Sequence, residues 1–238
     1  MKYTLKQIKE AQPASETVFS VLIHRHISPY FSLIFLSLRV TPNMVSTLSL
    51  VFGLVAAVFF AVGSYRALII GAVLIQLALL FDHCDGEVAR VAKQGSRFGA
   101  WYDGVIDRIR EYTSFLGIGL GVYLITKNPL ALILSAAAIG NLLLIGYIRA
   151  TTPFLFSEKV ENMKEQPAFL NLSARMHIGS VDTTVFLITF AAIFNAMILL
   201  LWAYTLLGLV LMIALLTSKY LKRETIKKKA FVTKKARP

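Results

Sequence analysis

The chain has 238 residues, 56% of them hydrophobic, a mean hydropathy of +0.66 and a formal net charge of +12. That balance lies outside the soluble globular range and marks an integral membrane protein, and its basic residues gather at the two ends and in the connecting loops, a pattern of topology and anionic-lipid contact rather than of nucleic-acid binding. A single cysteine, Cys84, excludes an intramolecular disulfide.

In chain order, residues 1–15 are polar, too polar for a signal peptide, and read as a short surface segment. Residues 17–38 are apolar but interrupted by His24, Arg25, His26 and Pro29, which predicts an amphipathic helix lying in the membrane interface, with the histidines facing the headgroups. Thr41-Pro42-Asn43 breaks the chain and opens a first span over 44–62, and Gly63-Ser64-Tyr65 turns it into a second over 66–91. A short basic loop at 93–98 leads to a third span over 99–125, and Lys127-Asn128-Pro129 to a fourth over 130–150. After the polar stretch 151–178, two further apolar runs, 181–194 and 197–219, complete six spans. Asp182, opening the fifth, is favourable there because carboxylates suit helix N-termini.

The expected fold class is therefore all-α: a polytopic membrane protein of six transmembrane helices preceded by an interfacial amphipathic helix. Its organisation divides into an N-terminal cytoplasmic or interfacial segment, 1–40, a six-helix domain, 41–220, and a basic tail, 221–238. From Lys219 onward the chain holds nine Lys or Arg against one Glu. The positive-inside rule puts that tail in the cytoplasm and, with six spans, the N-terminus and the 92–98 and 151–178 loops beside it. Gly117 and Gly121 in the third span, and Ala136 and Gly140 in the fourth, are spaced for close helix contact.

Six of the thirteen carboxylates, Asp82, Asp85, Glu87, Asp103, Asp107 and Glu111, crowd into thirty residues where the second span meets the third. Asp82 and Asp85 share one helix face, and so do Asp103 and Asp107. A single aspartate at the centre of a span costs roughly 2.5–3.5 kcal/mol on insertion scales, and several facing one another add repulsion. A bound divalent cation removes both costs, and an all-oxygen donor set favours Mg2+, Mn2+ or Ca2+ over zinc. Ion pairing with Arg90, Arg97, Arg108 and Arg110 accounts for the arginines but not for the spacing of the acids. Cys84, between two of the aspartates, reads as a packing residue rather than a soft ligand.

That spacing, D-x2-D-G-x2-A-R-x8-G-x3-D-x3-D, runs through Asp82, Asp85, Gly86, Ala89, Arg90, Gly99, Asp103 and Asp107. It resembles the signature of the CDP-alcohol phosphotransferases, and the TPN triplet before the first span recurs in that family. The resemblance implies transfer of a phosphoalcohol from a CDP-alcohol to an acceptor alcohol, releasing CMP, in phospholipid or phosphodiester biosynthesis. It further implies two divalent ions, Mg2+ or Mn2+, held by Asp82, Asp85, Asp103 and Asp107, with Asp107 as the catalytic base. Asp82, Asp85, Gly86, Ala89, Arg90, Gly99 and Asp103 would meet the nucleotide. Gly86, Ala89 and Gly99 lack bulk where a cytidine must approach the backbone, and Arg90 is placed to pair with a phosphate or, in the plainer reading, with Glu87.

Tyr147-Ile148-Arg149-Ala150 is similar to a stretch found in members that use phosphorylated polyols, so Arg149, with Arg175 and Lys93, is expected to bind an acceptor such as inositol phosphate or glycerol phosphate. A homodimer, membrane lipid as a partner, and an active site opening to the cytoplasm complete these expectations. The competing readings are a cation transporter using the aspartates as its ion site, and a scaffold that binds nucleotide without turnover. Transporters place such carboxylates on broken helices near mid-membrane within repeated halves, whereas these lie near helix ends and no repeat is present.

Overall fold

The computed structural model describes residues 3–13, 20–155 and 180–235, and all regular structure in them is helical. Local chemistry sets the boundaries. Helix α1, Leu5–Glu10, opens with a capping box in which Thr4 Oγ1 accepts from the Gln7 amide at 3.3 Å and Gln7 Oε1 accepts from the Thr4 amide at 2.9 Å. A wide π-type turn, Ser20–His24, runs directly into α2, Arg25–Ser37, whose internal Pro29 offers no N–H to the preceding turn. Helix α3, Pro42–Val62, starts with proline at its first position, where no donor is needed, and stops at Gly63, whose φ of 74° suits glycine. Ser64 caps α4, Tyr65–Val91, and Ser96 caps α5, Arg97–Thr126, by accepting from the Gly99 amide at 2.9 Å. There follow α6, Leu130–Leu155, α7, Val181–Ile193, and α8, Met197–Lys235.

Four helices are long and apolar enough to cross a membrane: α3, α4, and the stretches Leu130–Thr152 of α6 and Met197–Leu221 of α8. Helix α5 is long enough, but its first half is charged, while α7, with 13 residues, spans only about 20 Å. The core lies where α3 to α8 meet, around Phe60, Leu79, Phe115, Ile118, Ile188 and Leu201. Large apolar side chains such as Val58, Ile133, Leu199 and Leu207 point outward from the bundle, the arrangement that lipid rather than water tolerates.

Helices α3 and α5 approach each other closely. A Cβ on Gly117 would run into the Ala57 carbonyl and one on Gly121 into the Phe60 carbonyl, so this glycine pair serves packing within the chain. A Cβ on Gly140 would meet nothing within 4 Å.

Two expectations for the N-terminal region need correction. Residues 5–10 are not a free surface segment: Ile8 is buried against Leu36 of α2 and Val88 of α4. Nor does His24 face headgroups. It is buried, and its ring lies 5.3 Å from that of His83 and 5.4 Å from that of Phe186, so the π-type turn packs on α4 and α7 through a polar side chain. The periodicity missed this because the π-type turn rotates the residues before Arg25 relative to a regular helix. His26, by contrast, is exposed.

Two outcomes follow from this packing. Gly117→Ala should lower the thermal midpoint in detergent, through a destabilisation of roughly 1–3 kcal/mol typical of overpacking, while Gly140→Ala should not lower it. Burial first, and the neighbouring His83 second, push the His24 pKa down from 6.5 to about 4. Because a depressed pKa disfavours the protonated form in the fold, its contribution to stability is complete above pH 6.5 and is lost as the pH falls towards 4. Thermal midpoints of wild type and His24→Gln should therefore converge as the buffer is taken from pH 7 to pH 4.5.

Candidate active site

The second and third long helices are antiparallel neighbours joined by only five residues, 92–96, which sets the end of α4 against the start of α5. Asp82, Asp85 and Asp103 each offer an oxygen, and these oxygens all lie within 4.8 Å of one another. Asp85 is 7% exposed; the other two are half-buried. Asp107, one turn further along α5, turns one oxygen towards Arg110 instead, at 2.5 Å.

Arg110 is 1% exposed, and its Nη2 also reaches Asp82 Oδ1 at 3.0 Å. Nη1 donates to Ser49 Oγ and, at 3.3 Å, to the Ala78 carbonyl. Room for this side chain comes from Gly53, where a Cβ would stand 2.7 Å from Arg110 Cγ. Ser46 Oγ donates to Asp85 Oδ2 at 2.5 Å. Ser46, Ser49 and Gly53 repeat at helical spacing along one face of α3, so the third wall of the site is a small, polar stripe on an otherwise apolar helix.

The donor set suits a hard divalent cation. Asp103 Oδ1 is buried and has no hydrogen-bond partner among the described residues, although a buried carboxylate oxygen is costly to leave unsatisfied. Three carboxylates converging from two helices, with no nitrogen or sulfur ligand among them, match the oxygen chemistry of Mg2+, Mn2+ or Ca2+. Cys84 is buried, with Sγ 3.5 Å from the Ser28 carbonyl, and takes no part in the set.

The other sequence-nominated residues divide by position. Gly86 and Ala89, on α4 just past Asp85, and Gly99, at the start of α5, are half-buried. The terminal nitrogens of Arg90 lie over Gly86, where a Cβ would be 3.1 and 3.2 Å from them, and Arg90 Nε donates to the Ala11 carbonyl at 2.6 Å. A Cβ on Gly99 would be 3.3 Å from Asn43 Oδ1, which sets the start of α3 beside the start of α5.

Arg90 is not the partner of Glu87. That carboxylate is fully buried on the opposite side of α4 and is bound by Arg25 Nη1 at 2.9 Å, Gln12 Nε2 at 2.8 Å, and Ser28 and Ser32 Oγ at 2.6 Å each. Lys93 is exposed at the end of α4 with φ 56°. Arg149 stands on α6 within electrostatic reach of Arg108, which itself pairs with Glu111 at 2.5 Å. Arg175 lies outside the described residues. Asp182 does open α7, and it also accepts from Ser20 Oγ at 2.6 Å.

Sequence reasoning treated Arg110 as one of four equivalent counter-charges, and it passed over Ser46, Ser49 and Gly53. Their common helical face was the signal available for them.

Comparison with known proteins agrees with this geometry. The family model described as CDP-alcohol phosphatidyltransferase matches residues 39–219. A protein of Rubrobacter xylanophilus named bifunctional IPC transferase and DIPP synthase is 34% identical over 110 residues, 46% of this chain and 24% of that protein. The archaetidylinositol phosphate synthase of Pyrococcus horikoshii is 29% identical over 85 residues, 36% of this chain and 44% of that protein. The matched segments thus take in only a quarter to under half of these relatives' length. Among solved structures, Mycobacterium tuberculosis phosphatidylinositol phosphate synthase with CDP-DAG bound superposes with a TM-score of 0.58 at 21% identity, covering 82% of this chain and 94% of that one. The same enzyme in complex with manganese and citrate gives 0.55 at 23% identity, covering 81% and 90%. With the helical architecture, the aspartate cluster and a family match over most of its length, this chain belongs to the CDP-alcohol phosphatidyltransferase family.

Proposed function

We propose that the protein transfers a phosphoalcohol group from a CDP-alcohol to the hydroxyl of a phosphorylated polyol, releasing CMP, at the cytoplasmic face of a membrane. The observation that carries this reading is the convergence of Asp82, Asp85 and Asp103, with a buried, unpartnered Asp103 oxygen, where α4 meets α5. Names of the relatives favour an inositol-phosphate acceptor, and the bound CDP-DAG in a structural neighbour favours a lipid donor.

In the reaction the acceptor oxygen forms a bond to the phosphorus that carries the donor alcohol, and the bond from that phosphorus to the CMP oxygen breaks. Asp82, Asp85, Asp103 and Asp107 would hold Mg2+ or Mn2+, two ions in the fullest arrangement. When bound, the metal supplies positive charge against the diphosphate and the departing CMP. The chain's own part is orientation and proton transfer. Asp107, with Oδ1 held by Arg110, presents its other oxygen to take the proton of the attacking hydroxyl. Ser46 fixes the Asp85 carboxylate, and Gly86, Ala89 and Gly99 keep the mouth free of side chains for the cytidine. Arg90 faces the diphosphate. Arg149, together with Arg175 and Lys93, grips the acceptor phosphate.

The same reading makes all six helices α3 to α8 spans, with the charged start of α5 at the cytoplasmic end and α7 as the shortest crossing. It assigns 1–40 to an interfacial segment, 41–220 to the catalytic domain and 221–238 to a cytoplasmic tail, whose basic charge supports the orientation. Homodimerisation rests on the family resemblance and on the open small-residue surface at Gly140 of α6. A transporter reading gains no support, because the carboxylates sit on two unbroken helices, within about three turns of the connector that joins them.

Purified protein with Mg2+ or Mn2+ should release CMP only when given both a CDP-alcohol, such as CDP-diacylglycerol, and an acceptor such as inositol phosphate. Asp107→Asn should cut that release by about 10²–10⁴ while leaving CDP-alcohol binding in place. No release with any donor and acceptor pair, from protein that binds metal, would reject the reading. Arg149→Ala should raise KM for a phosphorylated acceptor roughly tenfold without moving KM for the donor, as expected for a lost charge-assisted contact. An unchanged acceptor KM would remove Arg149 from the acceptor site.

A further inference from the structure

Glu87 lies two positions beyond Asp85, which turns it about 200° around α4, away from the aspartate cluster. It is 0% exposed, and its four hydrogen-bond donors, Gln12, Arg25, Ser28 and Ser32, all come from the N-terminal region. A buried carboxylate is tolerable only with such saturation, so these donors are held firmly.

Gln12 has a second attachment: its Nε2 also lies 3.2 Å from the Arg25 carbonyl. Both contacts fix the backbone immediately before it, and there the Ala11 carbonyl accepts from Arg90 Nε at 2.6 Å. Helix α1 braces this loop through Ile8, buried against Leu36 and Val88. With Nε engaged from behind, the two terminal nitrogens of Arg90 are laid over the bare backbone of Gly86.

We propose that Gln12, anchored by Glu87, is a positioning residue for the donor: it fixes the Ala11 carbonyl so that the Arg90 guanidinium is presented over Gly86 to the diphosphate of a CDP-alcohol. The physical gain is preorganisation. An arginine side chain has several rotatable bonds, and holding Nε in advance spares the ordering cost when its fork meets phosphate oxygens. The inference rests on the reading of Gly86 and Arg90 as donor-binding residues, and it extends the donor site to a part of the chain that lies before the family-matched region 39–219.

The test is a double-mutant cycle on full-length protein in detergent with Mn2+, reading the Kd of CDP-diacylglycerol together with donor and acceptor KM. Gln12→Ala should weaken donor Kd and raise donor KM roughly fivefold, the scale of one lost hydrogen bond, with kcat and acceptor KM unchanged. In an Arg90→Ala background the same substitution should have no further effect on donor binding. Glu87→Gln, which keeps the shape of the anchor, should reproduce the donor effect in part.

An unchanged donor Kd in Gln12→Ala, or an equal loss in both backgrounds, overturns the positioning role while leaving the transferase reading intact. If Arg90→Ala leaves donor Kd unchanged, Arg90 is not a donor residue and the proposal falls with that assignment. Wild-type protein that binds neither CDP-diacylglycerol nor any other CDP-alcohol overturns the functional reading itself.

Discussion

The mutual repulsion of carboxylates packed into the joint between α4 and α5 is the constraint to which the rest of the site answers. Arg110 meets part of it from within, holding Asp82 and Asp107 from a position that is itself fully enclosed. Enclosing an arginine this way has its own requirements, met by Ser49, the Ala78 carbonyl and the missing side chain of Gly53. Asp85 and Asp103 make no hydrogen bond to this clamp among the described residues; one is held by a serine hydroxyl and the other has an oxygen left unpaired. The arginine thus organises two acids and leaves an opening in the charge balance where a divalent cation fits.

Helix α4 carries charge on two opposite faces for two different purposes. Towards α3 and α5 it presents Asp82 and Asp85; towards α2 it presents Glu87, saturated by the N-terminal region. The same few residues of helix therefore join the chemistry to the N-terminal region packed on the opposite face of α4. The remainder of α4 is apolar and buried at Leu68, Ile75 and Leu79, so the polar turns are borne by a rigid rod anchored in the core. Close approach of α3 and α5 through Gly117 and Gly121 holds the opposite wall at fixed spacing. Rigid elements of this kind keep like charges at close quarters when loops would let them part.

Much of this was legible in the residues. Apolar run lengths and the punctuation at Pro42, Gly63 and Lys127 placed the long helices, because caps and breakers act locally. The aspartate spacing identified the helix faces, since helical periodicity is a property of the backbone alone. What stayed hidden were partners distant along the chain: Gln12 with Glu87, Ser46 with Asp85, Ser20 with Asp182. The burial of His24 was hidden as well, because a π-type turn shifts the face that a regular helix would give it.

The sequence by itself determined that the chain is helical and membrane-embedded, where its acidic cluster lies, and which family signature that cluster resembles, because each depends on composition or on spacing within one helix. Only the tertiary structure decided which arginine clamps the acids, which acid lies outside the three-carboxylate set, and that Glu87 belongs to the N-terminal anchor and not to Arg90. Those outcomes depend on which helices are neighbours and how they are rotated, and for a side chain with several chemically equivalent partners only packing chooses among them.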